Sequence, residues 1–361
     1  MRLLSLFSLT VIYLTSSGIA SAASVGLVQT NLASDQPGVA NFTDPTLINA
    51  WGLISSGASP FWLGVNGSGI SELYTGAGVK QGLVVGIPGD GSVTGVAFSG
   101  VANSFNGNLF LFASEDGTVS GWRGALGTNA ETLVLSSVSN VYKGLSDALI
   151  GGNEYAYLAN FRSGAVDVLK GNAAAPNLTG TFTDPNLPSG YAPFNVMNLG
   201  GLLYVSYALQ DGAKHDDVAA PGNGVLDVFD LQGNFVRRLV SQGGVLNSPW
   251  GLALAPVGFG DVGGDLLVGN FGDGTINAFN PTSGALVQTL KNVNGSTLSI
   301  DGLWALQFGN GGQAGSANTL FFTAGPEGET HGLFGQLVAA PEPGTWALAA
   351  GALALFLKRR R

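Results

Sequence analysis

The sequence predicts an all-β protein, a six-bladed β-propeller, and two features of the chain support that architecture. Glycine accounts for 57 of the 361 residues, which disfavours long helices because Gly costs about 1 kcal/mol relative to Ala in a helix interior. A two-strand pattern also recurs six times: an apolar strand, a short loop that ends in Gly, and an alternating strand. Short strands joined by tight turns at regular spacing indicate a repeated all-β unit.

Six glycines at the ends of these loops set the period of the repeat. They are Gly69, Gly117, Gly164, Gly224, Gly274 and Gly332. Successive glycines are 48, 47, 60, 50 and 58 residues apart. A period of about 50 residues with several strands in each period is typical of propeller blades. Two stacked β-sandwich domains are the alternative, although a sandwich does not require this repeat.

Each blade is expected to have an inner strand, followed by the two strands that flank the turn. The predicted inner strands are residues 51–53, 94–98, 144–145, 195–197, 250–254 and 302–306. The predicted flanking pairs are 61–66 with 69–74, 109–114 with 117–122, 155–160 with 164–169, 202–207 with 224–229, 265–270 with 274–279, and 319–324 with 332–335. A fourth, outer strand of the blade is also expected, and it fits segments such as residues 286–290. Residues 25–30 are expected to complete the outer edge of blade six, which would close the ring and remove an exposed sheet edge.

The two ends of the chain are predicted to be targeting segments outside the propeller. Arg2 is followed by the apolar run 3–14 and by the small-residue site Ala20-Ser21-Ala22. A charged start, a short apolar core and such a site are typical of a secretory signal peptide. The sequence therefore predicts a signal peptide over residues 1–22, cleaved after Ala22 with Ala23 as the alternative, and a propeller over residues 23–340.

The last 21 residues, 341–361, combine a short motif, an apolar run and a basic end. The motif is Pro341, Glu342 and Pro343, and the basic end is Lys358, Arg359, Arg360 and Arg361. Positive residues keep the end of a membrane helix on the cytoplasmic side. Residues 344–357 are short for a permanent span, which needs about 20 residues, so a transient processing signal is favoured. An ordinary C-terminal membrane anchor is the alternative.

This tail closely resembles the bacterial PEP-CTERM sorting signal. The resemblance implies export by the Sec machinery, a transient anchor in the inner membrane, and cutting by an exosortase-type protease. The blade pattern resembles NHL-type repeats, and residues 226–230 are the nearest copy. The whole chain also resembles an uncharacterised group of exported PEP-CTERM proteins through residues 214–218, 248–252 and 269–274. That group implies no particular activity.

The charge of the predicted mature region limits its partners. Residues 23–340 contain 9 Lys+Arg and 22 Asp+Glu, a net charge of −13. Nucleic acid is excluded as an expected partner because phosphate binding needs a basic surface. Anionic lipid headgroups are disfavoured for the same reason. The chain has no cysteine, so neither disulfides nor thiolate chemistry is expected.

Two histidines mark the candidate site. His215 lies in an insertion of blade four and His331 in the equivalent turn of blade six, with Asp216, Asp217 and Glu329 nearby in sequence. Equivalent turns emerge on one face of a propeller, so these residues are predicted to overlook one end of the channel. Carboxylates with imidazole can bind a divalent metal, with calcium and zinc as the candidate ions, or perform acid–base chemistry. The alternative is that all five are solvated loop residues.

Two further sets of residues have either a ligand-binding or a structural interpretation. Three asparagines end equivalent strands and are expected either to line the channel or to bond the turn backbone: Asn66, Asn160 and Asn270. Three tryptophans on the predicted inner strands either line a ligand mouth or pack the core: Trp51, Trp250 and Trp304. The nucleophile elbow G-x-S-x-G and the zinc motif H-E-x-x-H do not occur.

These observations favour an exported protein of the cell envelope or extracellular matrix that binds its ligand without catalysis. Envelope exopolysaccharide or other envelope proteins are its expected partners, by analogy with the bacteria that use such sorting systems. The alternative is a metal-dependent, calcium-type hydrolase or lactonase with its site at the channel mouth.

Overall fold

The computed structural model describes residues 26–340, and they form an all-β fold. The strands are β1 (Leu27–Ser34), β2 (Phe42–Thr43), β3 (Ala50–Ile54), β4 (Phe61–Val65), β5 (Ile70–Tyr74), β6 (Lys80–Gly86), β7 (Val93–Phe98), β8 (Phe110–Ser114), β9 (Val119–Trp122), β10 (Glu131–Val134), β11 (Tyr142–Ile150), β12 (Asn153–Asn160), β13 (Ala165–Lys170), β14 (Tyr191–Leu199), β15 (Leu202–Leu209), β16 (Val225–Phe229), β17 (Phe235–Val240), β18 (Pro249–Leu254), β19 (Leu266–Asn270), β20 (Ile276–Phe279), β21 (Leu286–Thr289), β22 (Leu303–Phe308), β23 (Leu320–Ala324) and β24 (Leu333–Ala339). A helical turn, α1 (Pro326–Glu329), and four short 3-10 turns complete the elements of this part of the chain.

The strands are arranged in six separate sheets, which are the blades. Blades one, two, four and five are the four-stranded sheets β3–β6, β7–β10, β14–β17 and β18–β21. Blade three has three strands, β11–β13, and blade six has the order β2-β1-β24-β23-β22. The inner strand of each blade packs beside that of the next, and β22 of blade six returns to β3 of blade one. The predicted six-bladed propeller is confirmed, and the alternative of two sandwiches is wrong.

The ring is closed by the first strand of the described chain. β1 pairs antiparallel with β24, with Leu27 opposite Ala339 and Ser34 opposite Leu333. The prediction that this segment completes the outer edge of blade six is confirmed. Closure pairs an edge that would otherwise expose unpaired backbone groups.

Glycines on the inner strands let neighbouring blades approach closely. A Cβ added at Gly52 would lie 2.3 Å from the Thr94 carbonyl oxygen, and one added at Gly144 would lie 2.2 Å from Asn195 Oδ1. No side chain fits at such distances without moving backbone. The inner strands of blades one and three therefore need glycine at these two positions, where they face the next blade.

Blade three departs from the repeat because its chain crosses to blade four instead of adding an outer strand. Residues 171–190 contain no strand. The Gly180 amide donates to the Gln232 carbonyl at 2.8 Å, and the Phe182 amide donates to the Gly233 carbonyl at 2.9 Å. The longer spacing between the turn glycines of blades three and four comes from the insertion between β15 and β16, residues 210–224.

Five aromatic side chains, which we call the aromatic plug, fill the propeller axis. Trp51 stacks on Trp304 at 3.6 Å between ring centroids, and Trp250 lies edge-on to them at 6.4 and 5.9 Å. Phe271 stacks on Trp304 at 3.9 Å, and Phe194 lies 6.0 Å from it. Blades one and five are not neighbours, so the contact between Trp51 and Trp250 crosses the axis. All three tryptophans are at most 3% exposed, so the core-packing interpretation of these residues is confirmed.

The predicted targeting segments, residues 1–22 and 341–361, lie outside the described residues. Within residues 26–340 no helix has the length and apolar character needed to cross a membrane.

Candidate functional site

Polar side chains from five blades gather at one end of the axis, at the turns between second and third strands and at the start of the inner strands. We call this set the polar ring. Its members are Asn49, Asn66, Glu115, Lys143, Asp216 and Glu329. It is tied to the aromatic plug by two indoles, because Trp304 Nε1 donates to Asn49 Oδ1 at 2.9 Å and Trp250 Nε1 donates to the Lys143 carbonyl at 2.8 Å.

The first half of the polar ring joins blades six, one and two. Asn49 Nδ2 donates to Glu329 Oε2 at 2.8 Å and lies 3.4 Å from Asn66 Oδ1. Asn66 Nδ2 donates to Glu115 Oε2 at 3.1 Å. Asn49 has a φ of 48°, a left-handed conformation that Asn tolerates better than most residues. The two asparagines of blade one therefore bridge acidic side chains from the blades on either side of it.

The second half joins blades two, three and four through Lys143. Its ammonium forms a short ion pair with Glu115 and lies 3.2 Å from Asp216 Oδ1. The Lys143 side chain is only 3% exposed, and its Nζ lies 5.3 Å from the centroid of the Trp51 ring. Burial lowers the pKa of Lys143, but Glu115 and Asp216 outweigh it and hold that pKa above its usual value. The lysine is therefore a charged group held inside the ring.

Two further carboxylates, those of Asp217 and Glu329, experience the charge of Lys143 but have no cation of their own among the described residues. Burial raises the pKa of Asp217, against the neighbouring Ser248 hydroxyl and the Lys143 charge. Burial also raises the pKa of Glu329, against the hydrogen bond from Asn49 and the Lys143 charge. Asp217 Oδ2 is buried without a hydrogen-bond partner. Such groups gain from a ligand that brings hydrogen-bond donors or positive charge.

Donor atoms of Glu115, His215 and Asp216 lie within 4.8 Å of one another, and His215 Nδ1 is 2.8 Å from Asp216 Oδ1. Oxygen and imidazole donors of this kind suit Zn²⁺ or Mn²⁺. However, the Lys143 ammonium already contacts both carboxylates. The repulsion between that ammonium and a divalent ion about 4 Å away is about 8 kcal/mol at an effective dielectric constant of about 20, which offsets part of the attraction of the ion to the two carboxylates. The three donor groups suit a metal ion, but the adjacent positive charge of Lys143 disfavours one.

His331 contacts a different acidic pair. Its Nδ1 lies 2.7 Å from Asp35 Oδ2 and its Nε2 lies 3.7 Å from Glu327 Oε2. The hydrogen bond to Asp35 raises the pKa of His331 above its usual value. Its backbone carbonyl accepts a hydrogen bond from the Asn49 amide at 3.1 Å. Of the five residues singled out in the sequence, Asp216 and Glu329 belong to the polar ring, His215 and Asp217 adjoin it, and His331 meets it only through its backbone.

The three strand-ending asparagines have different roles. Asn160 Oδ1 accepts hydrogen bonds from the Val141 and Ser163 amides, each at 3.2 Å. Asn270 Nδ2 donates to the Val245 carbonyl at 2.8 Å. Both therefore hold turns, as the structural interpretation predicted, whereas Asn66 joins the polar ring. Lys143, Glu115 and Asn49 were missed because the local pattern around each is that of an ordinary strand end.

A groove of about 620 Å³ opens beside the polar ring. Its charged and amide lining residues are Asp90, Glu115, Asp116, Asn140, Arg162 and His215. One Arg162 nitrogen donates to the Val138 carbonyl at 2.8 Å, while its Nε is buried without a partner. Because Glu115 and His215 line the groove and adjoin or belong to the ring, the two features form one continuous site.

The fold and this site define a closed six-bladed propeller with a plugged axis and a polar mouth at one end. The chain is 33% identical over 329 residues to Uncharacterized protein R648 of Acanthamoeba polyphaga mimivirus, covering 85% of this chain and 78% of that protein. It is 32% identical over 327 residues to Uncharacterized protein L690 of the same virus, covering 85% and 84%. The chain belongs to the family of these mimivirus proteins. No protein-family model matches it.

Solved structures with a similar arrangement include virginiamycin B lyase from Staphylococcus aureus, at a TM-score of 0.48 and 11% identity, with 85% of this chain and 87% of that chain covered. Kuenenia stuttgartiensis hydrazine synthase matches at a TM-score of 0.47 and 14% identity, with 81% and 77% covered. At these scores the likeness carries no functional argument.

Proposed function

We propose that this protein is an exported, non-enzymatic binding protein that holds a polar ligand in the groove and on the polar ring. The observation that carries the proposal is the continuous run of polar side chains from five blades above a plugged axis. The aromatic plug closes the axis, so the polar mouth is a depression and not a channel. Hydrogen bonds between blades hold the side chains of the mouth in fixed positions. A preorganised polar surface of this kind favours binding because little order is lost when the ligand arrives.

The contacts of the charged groups favour binding over catalysis. His215 pairs with Asp216, not with a hydroxyl that it could activate. Lys143 is held in two ion pairs and keeps its proton. Nucleophilic catalysis needs a base within hydrogen-bond reach of the nucleophile, and within residues 26–340 both imidazoles bond carboxylates and neither bonds a serine, threonine or tyrosine hydroxyl.

The lining of the groove fits a ligand rich in hydroxyl groups. Asp90 and Asp116 supply hydrogen-bond acceptors, and Arg162 and Asn140 supply donors. The large aromatic rings of the axis are buried in the plug, so recognition would rest on hydrogen bonds and not on stacking. Envelope exopolysaccharide is the ligand class that this chemistry and the predicted export favour.

A glycan array probed with the 23–340 fragment tests the binding proposal. We expect neutral or acidic glycans to bind. Arg162→Met should reduce binding at least about tenfold, because it removes a cationic donor that lines the groove and a hydrogen bond to a charged group contributes about 1.5–3 kcal/mol. Arg123→Met is the matched control, since Arg123 pairs with Glu131 on blade two, outside the groove. Equal binding by wild type and Arg162→Met would remove the groove as the binding site. Failure of the wild type to bind any glycan would remove the ligand class.

Export and processing form the second part of the proposal, and they rest on the two ends of the sequence. The signal peptide would be removed after Ala22, and an exosortase-type protease would cut near Pro341-Glu342-Pro343 while the tail is in the membrane. Full-length protein should be produced in a bacterial host with and without such a protease, and the mature C-terminus read by mass spectrometry. A tail retained in both hosts would refute processing, and Pro341→Ala with Pro343→Ala is the variant expected to block it.

A metal-dependent hydrolase is the second candidate, supported by the closeness of donor atoms in Glu115, His215 and Asp216. Elemental analysis of the 23–340 fragment and a thermal melt with and without EDTA test it. A stoichiometric ion lost in Asp216→Asn, together with ester or lactone hydrolysis abolished by EDTA, would favour this candidate over the binding protein.

A further inference from the structure

We infer that the Lys143 ammonium is the built-in cation of the channel mouth, and that it excludes divalent metals from the group formed by Glu115, His215 and Asp216. Ligand binding at the mouth is therefore independent of metal. The inference takes the location of the site from the proposed function, but it does not depend on which ligand binds there.

The position of Lys143 is that of a bound cation. Its ammonium contacts carboxylate oxygens of Glu115 and Asp216, two of the three residues whose donor atoms could hold an ion. Its positive charge also acts on Asp217 and Glu329. One buried ammonium thus contacts two carboxylates and acts electrostatically on two more, and the four come from three blades.

Lys143 is held in this position by its surroundings. It lies in β11, its carbonyl oxygen accepts the Trp250 indole hydrogen bond, and the Trp51 ring lies beside the ammonium at 5.3 Å. Its side chain is 3% exposed. An incoming divalent ion would have to bind beside this charge or displace it from both of its carboxylate partners.

Removal of the lysine charge should convert the mouth into a metal site. Lys143→Met keeps the length and apolar stem of the side chain and leaves Glu115, His215 and Asp216 in place. Mn²⁺ is the probe, with free ion measured by electron paramagnetic resonance. We expect the dissociation constant for Mn²⁺ to be at least about 100-fold lower in Lys143→Met than in wild type, since removing like charge favours the ion. We also expect Mn²⁺ to raise the Tm of the variant and not that of wild type.

Three further proteins make the result specific. Lys170→Met is the matched control, because Lys170 bonds the Ala175 carbonyl on blade three, and it should bind Mn²⁺ no better than wild type. Adding Asp216→Asn to Lys143→Met should abolish the gained affinity. Lys143→Gln serves if the methionine variant does not fold.

Wild-type protein by itself also tests the inference. Stoichiometric Mn²⁺ binding by wild type that is lost in Asp216→Asn would overturn the inference, as would folded Lys143 variants with no gain in affinity. Wild type without Mn²⁺ binding supports it. Glycan binding measured in parallel with EDTA present separates the two ideas: glycan binding that needs metal refutes the inference alone, and absent glycan binding refutes only the proposed ligand.

Discussion

A buried group of charges ties the closing segment of the ring to blade one, and its loss should destabilise the protein strongly. Lys80 Nζ lies 2.6 Å from Asp44 Oδ2 and 2.6 Å from Glu72 Oε1. The two carboxylates are 4% and 0% exposed. Tyr74 donates a hydrogen bond to Asp44 and lies 3.2 Å from Glu72 Oε2. Asp44 follows β2 of blade six, whereas Glu72, Tyr74 and Lys80 belong to blade one.

Lys80→Met would leave two adjacent buried carboxylates without their cation, and one of them would have to bind a proton. Protonating Asp44 at pH 7 from its ordinary pKa of 3.8 costs about 4 kcal/mol at about 1.36 kcal/mol per unit of pKa. This cost agrees with the loss of about 3–5 kcal/mol typical of a broken buried ion pair. At pH 5 the same calculation gives about 2 kcal/mol, so the loss should depend on pH.

The sign of that dependence follows from the two folded states. In wild type, burial opposes ionisation, but the bonds from Lys80, Tyr74 and Thr46 lower the pKa of Asp44 to about 2. Its stabilising contribution is therefore present above about pH 4 and is lost as the pH falls towards 2. In the variant the folded state holds an extra proton, so stability falls as the pH rises from about 4 to 7. The difference between the two proteins should be largest at pH 7.

Urea unfolding followed by tryptophan fluorescence at pH 5 and pH 7 measures this difference, because the plug tryptophans report on the intact ring. Lys291→Met is the matched control, since Lys291 is exposed, and it should change stability by less than about 0.5 kcal/mol. A Lys80→Met variant as stable as this control at pH 7, or one with a loss that grows towards pH 5, would refute the reasoning.

Three other changes should have measurable effects. Trp304→Ala should cost about 3–5 kcal/mol of unfolding free energy because it opens a cavity in the plug; a loss below about 1 kcal/mol in urea unfolding would contradict that packing. Burial and the nearby charge of Glu154 raise the pKa of Asp147 to about 7, so its burden on stability grows from about pH 4 to 7. Asp147→Asn should therefore stabilise the protein at pH 8 and not at pH 4. A variant and a wild type with the same urea midpoint at pH 8 would count against this prediction. Asp35→Asn should lower the pKa of His331 in an NMR titration, and an unchanged value would show that the contact is not maintained in solution.

Much of the fold follows from local patterns in the sequence. The six turn glycines and the alternating apolar residues around them locate the blades, because strand periodicity and turn chemistry act over a few residues. The closing strand was predictable for a related reason: residues 25–30 form a strand pattern with no partner in blade one. The missing outer strand of blade three was not predictable, since it depends on Gly180 and Phe182 bonding the turn of another blade.

The candidate site was predictable only in part. Repeat phase places the turns with Asp216 and Glu329 at the same end of the propeller, because equivalent turns of a repeat lie on one face. It does not show that His331 pairs with Asp35, which lies 296 residues away in sequence. That pairing is created only when the first strand joins blade six.

The sequence alone therefore determined the number of blades, the order of the three inner strands in each and the closing strand, because each of these is encoded by residues close together along the chain. The tertiary structure decided which side chains meet on the axis. Asn49 and Glu329 are 280 residues apart, and Glu115 and Lys143 are 28 apart. Their contacts arise from ring closure and from the burial of the plug beneath them. Whether a lysine such as Lys143 lies in solvent or is buried among carboxylates depends on which blades surround it once the ring has closed. The residues next to it in the sequence do not determine this.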